Sequence, residues 1–586
     1  MAAVATLVCF VVYGLGYGLY SRYLARRVFA LDDARSTPAH ALRDDVDYVP
    51  TRRPVLFGHH WASITGLSPM LGPAVAVIWG WLPAMLWVVL GGLFVGCVHD
   101  LGALVVSMRS RGQSIGKVAE GIIGSRAKTL FHLIIFFGIA LAMGVFVYII
   151  AVMFSISNSW SPADPLADPS SFPTAVLPSA ALVAIALVMG HLLYRRGMRL
   201  APLTAAGFAL VMVSVWAGIR WPLLGLERAA WPEHGGWVTI LLAYSFIASV
   251  LPVWSLLQAR DFLNSLLLYL GLALCYLGLF VSRPEFAAPA FRPHPEGAPS
   301  FYPFVFIIVA CGAASGFHSL VSSGTTAKQI AREGDARAIG YGGMLGESLL
   351  GLLAVLACTA GLVGGGGVTP GRLWQETYAD WGAMQALGST IGVFVAGAAH
   401  FIESLGVADH RTATAFVAVI VVSFALTTLD SATRLLRFNI SEMGESLGWR
   451  WLGDRYAASG LAVAVIAFFA FYEVGGRPAG LALWQLFGTV NQLLAGLALL
   501  VVTLYLYRRR RNYWVTALPM FFMMASTLAA MLVNLRVFLG QWAAGGAILF
   551  VVGSILLVLA VWLAVEAVAA LRRLRRQRRV EDLEIA

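Results

Sequence analysis

The stretch FGHHWASITGLSPMLGP, residues 57–73, joins two adjacent histidines to an apolar segment with an unusual number of helix breakers. Gly66, Pro69, Gly72 and Pro73 all fall within its last eight positions. Backbone that leaves helical geometry inside a bilayer is tolerated only where protein or a water-filled cavity satisfies the freed N–H and C=O groups. A kink used only for packing needs a single proline. The four breakers together therefore favour an interrupted helix that presents its ends to a substrate or ion.

The composition of the chain is that of a polytopic membrane protein. Of its 586 residues, 59% are hydrophobic and 12% are charged, whereas globular proteins carry roughly 25% charged residues. Apolar stretches of about 20 residues, each long enough to cross a bilayer, recur along the chain. No loop is long enough to fold alone, so residues 1–586 are predicted to form one transmembrane domain. The absence of a recognisable nucleophile–base pair argues against an enzyme.

The net charge of +11 comes from short basic clusters beside apolar spans, such as YRRRRN and LRRLRRQRR. This placement is typical of cytoplasmic loops held by the positive-inside rule and by anionic lipid. The bilayer is therefore the expected partner of these clusters, and nucleic acid is not.

Fifteen apolar segments are predicted to cross the membrane, and a sixteenth near residues 385–405 is ambiguous. A crossing at 385–405 would put the later basic clusters outside the cell. A re-entrant or interfacial segment, which suits its His400 and Glu403, keeps them inside. The chain is thus predicted to have its N-terminus outside the cell and its C-terminus in the cytoplasm. The predicted spans lie near residues 3–20, 62–80, 82–107, 130–156, 175–194, 200–220, 237–257, 262–282, 302–322, 340–365, 411–430, 457–473, 483–507, 512–536 and 543–568.

A second interruption is predicted five spans after the first, where Ser249, Pro252 and Trp254 punctuate the apolar segment 237–257. Two interrupted helices five spans apart are what an inverted five-plus-five repeat predicts for its first and sixth members, as in LeuT-like transporters. The predicted fold is therefore all-α, with about 15 transmembrane helices and a LeuT-like core. Its parts are a peripheral first helix at 1–20, the repeat core at 57–430, extra helices at 457–568 and a cytoplasmic basic tail at 569–586.

On this count, residues 302–322 form the eighth core helix, which runs into the hydroxyl-rich GAASGFHSLVSSGTT, residues 312–326. Transporters of the LeuT type bind sodium between the first and eighth core helices, with paired Ser or Thr on the eighth. Ser322 and Ser323 are candidate ligands on this analogy, which rests on fold alone.

Three ionisable residues, Asp100, Glu347 and Asp430, fall within or at the end of predicted spans. An isolated charge in hydrocarbon costs several kcal/mol, so such groups are usually paired or used in ion or proton coupling. Asp430 also has a simpler interpretation, because it could pair with Arg434 one helical turn away.

The histidines leave metal, haem and proton coupling open. His59 and His60 point about 100° apart on a regular helix, so they are poorly placed to chelate one ion together. Either could bind a divalent metal with a distant partner such as His318 or Asp100, and isolated histidines elsewhere could ligate haem. Packing inside the bundle and proton coupling near neutral pH are the alternatives.

Several motifs occur in a fixed order along the chain: DDVDYVPTRRPVLFGHHWASITGLSPMLGP, SFIASVLPVWSLLQARDFLNS, SGFHSLVSSGTTAKQI, GYGGMLGES, TTLDSATR and LWQLFGTVNQLLAGLALL. In their order and spacing they resemble the carbon starvation protein A (CstA) family. The resemblance implies an inner-membrane importer of peptides or pyruvate in carbon starvation, by proton symport in the case of pyruvate. The chain departs from the family pattern at His99, where a Gln is expected, and at SLVSSGTTAK. The identity of the substrate is therefore not carried over.

These observations predict a secondary active transporter, a proton-coupled symporter for pyruvate or short peptides, and no enzyme. The substrate carboxylate is expected at the half-helix Ser68–Gly72 and at the break Ser249–Trp254. The alternative is a membrane redox or sensor protein with histidine-bound metal or haem. Pyruvate or peptide as substrate, and proton or sodium as coupling ion, stay open. The candidate substrate- and ion-binding residues are Ser68, Pro69, Gly72, Asp100, Ser249, Trp254, Gln258, His318, Ser322, Ser323, Glu347 and Asp430, and the candidate metal ligands are His59, His60 and His318.

Overall fold

The structure is a computed structural model that describes residues 1–45, 47–157, 160, 168, 170–364, 367–382, 387–474, 477–478 and 480–585. The described residues are helical apart from loops and one antiparallel pairing of Glu473–Val474 with Arg477–Pro478. Long apolar helices satisfy their backbone groups internally, which is what a lipid environment requires.

Between the N-terminus and residue 282, the described residues form ten helices of six residues or more, besides the short helices Pro38–Ala41 and Arg228–Ala230. They are α1 (Ala2–Val28), α2 (Arg53–Ile64), α3 (Ser68–Trp79), α4 (Trp81–Arg109), α5 (Ile115–Ile122), α6 (Ser125–Phe154), α7 (Pro173–Tyr194), α8 (Leu200–Arg220), α9 (His234–Val250) and α10 (Leu257–Ser282).

The described residues of the second half form eleven more, besides the single 3-10 turns Thr326–Lys328, Arg450–Gly453 and Trp542–Ala544. They are α11 (Phe301–Ile308), α12 (Ala310–Ala313), α13 (Gly316–Gly324), α14 (Arg337–Ala360), α15 (Pro370–Thr377), α16 (Leu387–Glu403), α17 (His410–Leu447), α18 (Arg455–Ala470), α19 (Gly480–Arg508), α20 (Trp514–Gly540) and α21 (Gly546–Ile585).

The loops gather on two opposite sides of the helix bundle. On the side that we call the basic side, Arg109 at the end of α4 donates to the carbonyl of Ala30 at 3.0 Å. On the same side, Arg573 near the end of α21 donates to the carbonyl of Ile123, just after α5, at 2.8 Å. On the other side, the N-terminal side, the ammonium of Met1 lies 3.4 Å from Glu285. The N-terminus and the C-terminal helix therefore end on opposite sides of the bundle.

Helix α16, which covers most of the ambiguous segment 385–405, stays on the N-terminal side. Near its start, Gly388 packs against Ser170, which lies in the loop that leaves α6 on that side. Near its end, the backbone of Phe401 contacts Gly278, one turn before α10 ends at Ser282. Because both ends of α16 contact residues on the N-terminal side of the bundle, the helix does not cross. This agrees with the prediction of a re-entrant or interfacial segment, although residues 385 and 386 lie outside the described residues.

Eleven helices are long and apolar enough to span a membrane by length and composition alone, or twelve when the bent pair α2–α3 counts as one span. Three predicted spans do not pass this test: α9 has 17 residues, α18 has 16, and 302–322 is interrupted. Each of them still connects the two sides. The described helices thus give eleven or twelve spans by length and composition, and the count of about fifteen stays a prediction.

The predicted interruption in GLSPMLGP is present, since α2 and α3 are separated by residues 65–67 and bent by 46°. A second interruption lies between α12 and α13, where Ala314 and Ser315 are extended. The two interrupted helices pack against each other closely, because the backbone carbonyl of Ile308 lies against Gly72, where no side chain would fit. The interruptions thus share one region of the bundle.

The prediction that Ser249–Trp254 interrupts a single membrane-crossing helix was wrong. Helix α9 ends at Val250 and α10 begins at Leu257, so the segment is a turn between two passes. Pro252 forces this end, because the residue before a proline is disfavoured in helical geometry and Leu251 is extended (ψ 150°). The sixth member of the proposed repeat therefore does not lie here, and the inverted five-plus-five arrangement stays a prediction.

The non-crossing of α16 can be tested by labelling single cysteines with a membrane-impermeant maleimide. We expect Val363→Cys and Val407→Cys, which flank α16 and are 55% and 66% exposed, to react from the same side of the membrane. Leu447→Cys, 55% exposed at the end of α17, should react only from the opposite side. The unmodified chain is the control for labelling of its five native cysteines, of which Cys9, Cys97, Cys275 and Cys358 are buried. Labelling of Val363→Cys and Val407→Cys from opposite sides would mean that α16 crosses.

Candidate functional site

Four buried titratable side chains form a continuous chain of contacts between α4, α13 and α14. The Nδ1 atom of His318 lies 2.8 Å from Asp100 Oδ2, and its Nε2 atom lies 2.8 Å from Glu347 Oε2. The Nδ1 atom of His99 lies 2.7 Å from the other oxygen of Asp100. All four side chains are 1% exposed or less. We call this group the histidine–carboxylate chain.

Small residues and one amide hold the second interruption close enough for these contacts. The backbone carbonyl of Ala313 lies against Gly96 of α4, where a Cβ atom would collide with it. On the other flank, Asn491 Oδ1 accepts from the backbone N–H of Phe317 at 2.9 Å and from the hydroxyl of Ser315 at 3.2 Å. These bonds satisfy donors that the start of a helix leaves free. His318 is thereby fixed in the first turn of α13.

The histidine–carboxylate chain has the chemistry of a proton store. Two buried carboxylates near each other cannot both stay ionised without a compensating positive charge or a proton. An imidazole supplies either, because it can hold one proton or two and contacts a partner with each nitrogen. His318 can therefore balance Asp100 and Glu347 when it is charged, and a proton can move between them.

A second buried network links α9, α10 and α17. Asp430 pairs with Arg260, and the hydroxyl of Tyr244 donates to Asp430 at 2.7 Å. The expectation that Asp430 pairs with Arg434 was wrong. Arg434 instead donates to the carbonyl of Ala248, in the last turn of α9, at 3.0 Å and to that of Leu251 just after it.

The next residue of α10 extends this network to α2. Asp261 Oδ2 lies 2.8 Å from Nδ1 of His59 and accepts from the hydroxyl of Ser63 at 3.0 Å. Sequence reasoning missed Arg260 and Asp261 because both fell between two predicted spans and were assigned to a loop. The structure places them in the first turn of α10, fully buried. The signal was the unbroken helical run LLQARDFLNS, which continues into the next span.

Several polar side chains near the first interruption are buried and have no hydrogen-bond partner among the described residues. These are Thr65, Thr428 and both amide atoms of Asn264, each 3% exposed or less. Thr428 lies against Gly66, and Asn264 is one turn beyond Asp261 on α10. A buried polar group left unpaired costs about 1–3 kcal/mol. Their concentration beside a helix break makes this junction of α2, α10 and α17 a candidate binding position.

The remaining predicted residues at the two interruptions have different surroundings. Ser68 and Pro69 begin α3, and Ser68 is buried. Ser322 is buried and its hydroxyl has no partner among the described residues. Ser323 donates to the Ser319 carbonyl at 2.6 Å and accepts from a backbone N–H at 3.1 Å. The two serines therefore do not offer a pair of free oxygens.

Three predicted site residues lie away from the interruptions, at the turn on the basic side. The Ser249 hydroxyl bonds to that of Ser459 at 2.9 Å and joins α9 to α18. The ring of Trp254 lies under the guanidinium of Arg195. Gln258 donates to the side chain of Gln329 at 2.5 Å. Because the α9–α10 segment is a turn and not a broken helix, the structure does not bring Ser249, Trp254 and Gln258 to the α2–α3 break.

The three histidines proposed as metal ligands do not converge. His59 contacts Asp261, His60 Nδ1 lies 2.8 Å from the Thr326 hydroxyl, and both nitrogens of His318 already contact carboxylates. Within the part of the chain that the structure describes, no three His, Cys, Asp or Glu side chains are arranged to hold a metal ion.

Residues 1–530 match the family described as "Carbon starvation protein CstA". The chain belongs to the CstA family. It is 32% identical over 574 residues to the peptide transporter CstA of Helicobacter pylori strain J99, which covers 88% of this chain and 79% of the relative. It is also 32% identical over 596 residues to the pyruvate/proton symporter BtsT of Escherichia coli K12, which covers 89% of this chain and 80% of that protein. The resemblance inferred from the sequence motifs is confirmed, and both relatives are named as transporters and not as redox proteins.

Among solved structures, a manganese transporter from Eremococcus coleocola covers 91% of this chain and 99% of its own, with 9% identity and a TM-score of 0.38. A likeness this remote carries no argument about the fold or the transported substrate.

The Arg260–Asp430 pair can be tested by single and double substitution. Asp430→Leu or Arg260→Met alone should destabilise the protein by about 3–5 kcal/mol, because each leaves a buried charge without its partner. The double variant Arg260→Met/Asp430→Leu should recover most of this loss, since it removes both charges. Apparent melting temperatures of the purified variants in detergent measure both effects. Single variants that melt like the unmodified chain would show that the pair is not a buried ion pair.

Proposed function

We propose that this chain is a secondary active transporter that imports a small carboxylate such as pyruvate, or a short peptide, together with a proton. The observation that carries the proposal is the histidine–carboxylate chain, which lies beside the second interruption in a member of the CstA family. The names of the relatives, a peptide transporter and a pyruvate/proton symporter, support the same class of substrate and the same coupling ion.

Protonation of the histidine–carboxylate chain changes the contacts that hold α13. His318 lies just past the extended residues Ala314 and Ser315, so its ion pairs tie a movable half-helix to Asp100 on α4 and Glu347 on α14. A proton added to one carboxylate removes the charge that this contact depends on. Transport is coupled to protons if the inward-facing and outward-facing arrangements differ in these contacts, because a ligand shifts an equilibrium only by its differential affinity.

The substrate is proposed to bind at the first interruption. The start of α3 at Ser68 carries the positive end of a helix dipole, which favours an anion by about 0.3–2 kcal/mol. Thr65, Thr428 and Asn264 supply unpaired hydroxyl and amide groups at the same level. Pyruvate and the C-terminus of a peptide both present a carboxylate, which can accept from such hydroxyl and amide donors.

The proposed orientation follows the charge of the loops. Arg109, Lys328, Arg337 and Arg508 end helices or occupy turns on the basic side. Lys and Arg are concentrated in cytoplasmic loops of inner-membrane proteins. We therefore assign the basic side to the cytoplasm and the N-terminus to the periplasm.

The test is uptake of labelled pyruvate and of a panel of labelled dipeptides into proteoliposomes under an imposed inward proton gradient, with and without sodium. The unmodified chain should accumulate at least one of these substrates only when the proton gradient is present. Glu347→Gln should lower that uptake by about tenfold or more, because the amide keeps the size of the side chain but cannot exchange a proton.

Glu376→Gln is the matched control. Glu376 pairs with Arg372 at 3.0 Å on the surface of α15, where the pair is exposed, and the change should leave uptake unaltered. Uptake that follows a sodium gradient alone, or that Glu347→Gln leaves intact, would contradict proton coupling through this site.

A further inference from the structure

A cavity of about 290 Å³ opens on the basic side between α5, α6, α13 and α17. Its wall includes Leu320, Ser323 and Gly324 from the last two turns of α13, the same short helix that carries His318. His318 and Ser323 are five residues apart, which corresponds to about 7.5 Å along a helix axis. The cavity therefore reaches close to the histidine–carboxylate chain from the basic side.

A pair of titratable side chains lies in the wall of this cavity. The Nε2 atom of His132 on α6 is 3.3 Å from Glu442 Oε2 on α17. Asn439 holds the ring from the other side, since its Oδ1 lies 2.5 Å from Nδ1 of His132, and the Ser114 hydroxyl donates to Glu442 at 2.9 Å. The imidazole is buried, whereas Glu442 is partly exposed to the cavity.

The contact between α4 and α13, which we call the seam, lies between the histidine–carboxylate chain and the His132–Glu442 pair. Asp100 contacts His318 at its upper end. At its lower end, the Ser107 hydroxyl donates to the carbonyl of Gln113 at 2.7 Å and lies 3.5 Å from the carbonyl of Ser323. Ser322, one turn below His318 on the same face of α13, is fully buried with a hydroxyl that has no partner among the described residues. A hydroxyl can accept and donate a proton at the same time. The seam thus carries proton-transferring groups over most of the distance to the cavity.

We propose that the His132–Glu442 pair is the acceptor through which the histidine–carboxylate chain releases its proton to the basic side. The inference rests on the proposed function and adds the exit route to it. The proton leaves His318, passes along the seam by way of Ser322 and solvent from the cavity, and protonates Glu442 or His132. It then passes to water at the mouth of the cavity, which returns the pair to its starting state.

The other charged groups around the cavity favour release of a proton from the His132–Glu442 pair to water. Lys117 from α5 and Lys328, which is held over the rings of Tyr48 and Phe438, both line the wall. Their positive charge repels a proton once it has left the pair. Lys128 on α6 is itself paired with Glu120 at 3.4 Å, and Glu445 lines the cavity further out.

The route is tested in proteoliposomes by comparing two measurements on the same variant. Proton-driven net uptake of the substrate needs release of the proton in every cycle, whereas counterflow of labelled against unlabelled substrate does not. Glu442→Gln should lower the ratio of net uptake to counterflow about tenfold, because glutamine still accepts from Ser114 but cannot take up a proton. Glu442→Asp should restore the ratio, and Glu445→Gln, which lines the same cavity outside the pair, is the control.

The outcomes separate this route from the proposed function. If the unmodified chain shows no proton-driven uptake, the proposed function and the route fail together. If the unmodified chain is proton-driven and Glu442→Gln keeps the same ratio, only the route is overturned. If Glu442→Gln loses counterflow and net uptake alike and Glu442→Asp does not rescue them, Glu442 has a structural role and the route is again overturned.

Discussion

The contact of His318 with Asp100 and Glu347 is the interaction on which the architecture of the two interruptions depends. An interrupted helix exposes peptide groups inside the bilayer, and each charge beside it would cost several kcal/mol if it were alone. The imidazole removes that cost for two carboxylates at once and ties α13 to α4 and α14. The stability of these contacts therefore depends on the protonation states of His318, Asp100 and Glu347. The same dependence would allow them to couple a proton to a change of structure.

Close approach of backbone to backbone is what allows these contacts to form. Gly96 admits the Ala313 carbonyl and Gly72 admits the Ile308 carbonyl, so the broken segments lie against their neighbours without intervening side chains. A helix break surrounded by large residues would leave its free peptide groups facing a void. Here the side chain of Asn491 accepts from the Ser315 hydroxyl and from the backbone N–H of Phe317, so these donors are paired. Gly72, which the sequence shows as a helix breaker, and Gly96 are therefore both needed for packing at the breaks.

Much of the fold and part of the site could be predicted from the sequence, because hydrophobic length and charge are properties of single segments. The break in GLSPMLGP and the position of Asp100, Glu347 and His318 inside buried helices followed from the composition of single segments, and the non-crossing of α16 followed from the charge of the loops around it. The partners of these residues did not, since His318 lies 218 positions from Asp100 and nothing local links them. Arg260 and Asp261 were missed because a charged pair between two apolar runs has the composition of a loop. Ser249–Trp254 was assigned to an interruption within a span because a proline such as Pro252 ends a helix in the same way inside a membrane and at its surface.

The two buried charge networks differ in a way that divides their roles. Arg260 does not release its proton under physiological conditions, so the Arg260–Asp430 pair can balance charge and hold α10 against α17 but cannot carry a proton. In the histidine–carboxylate chain every member can change its protonation state, and no arginine or lysine side chain contacts it among the described residues. If a permanent cation replaced His318, both carboxylates would stay ionised and the store would be lost. The imidazole at residue 318 therefore allows the histidine–carboxylate chain to carry a proton, which the Arg260–Asp430 pair cannot do.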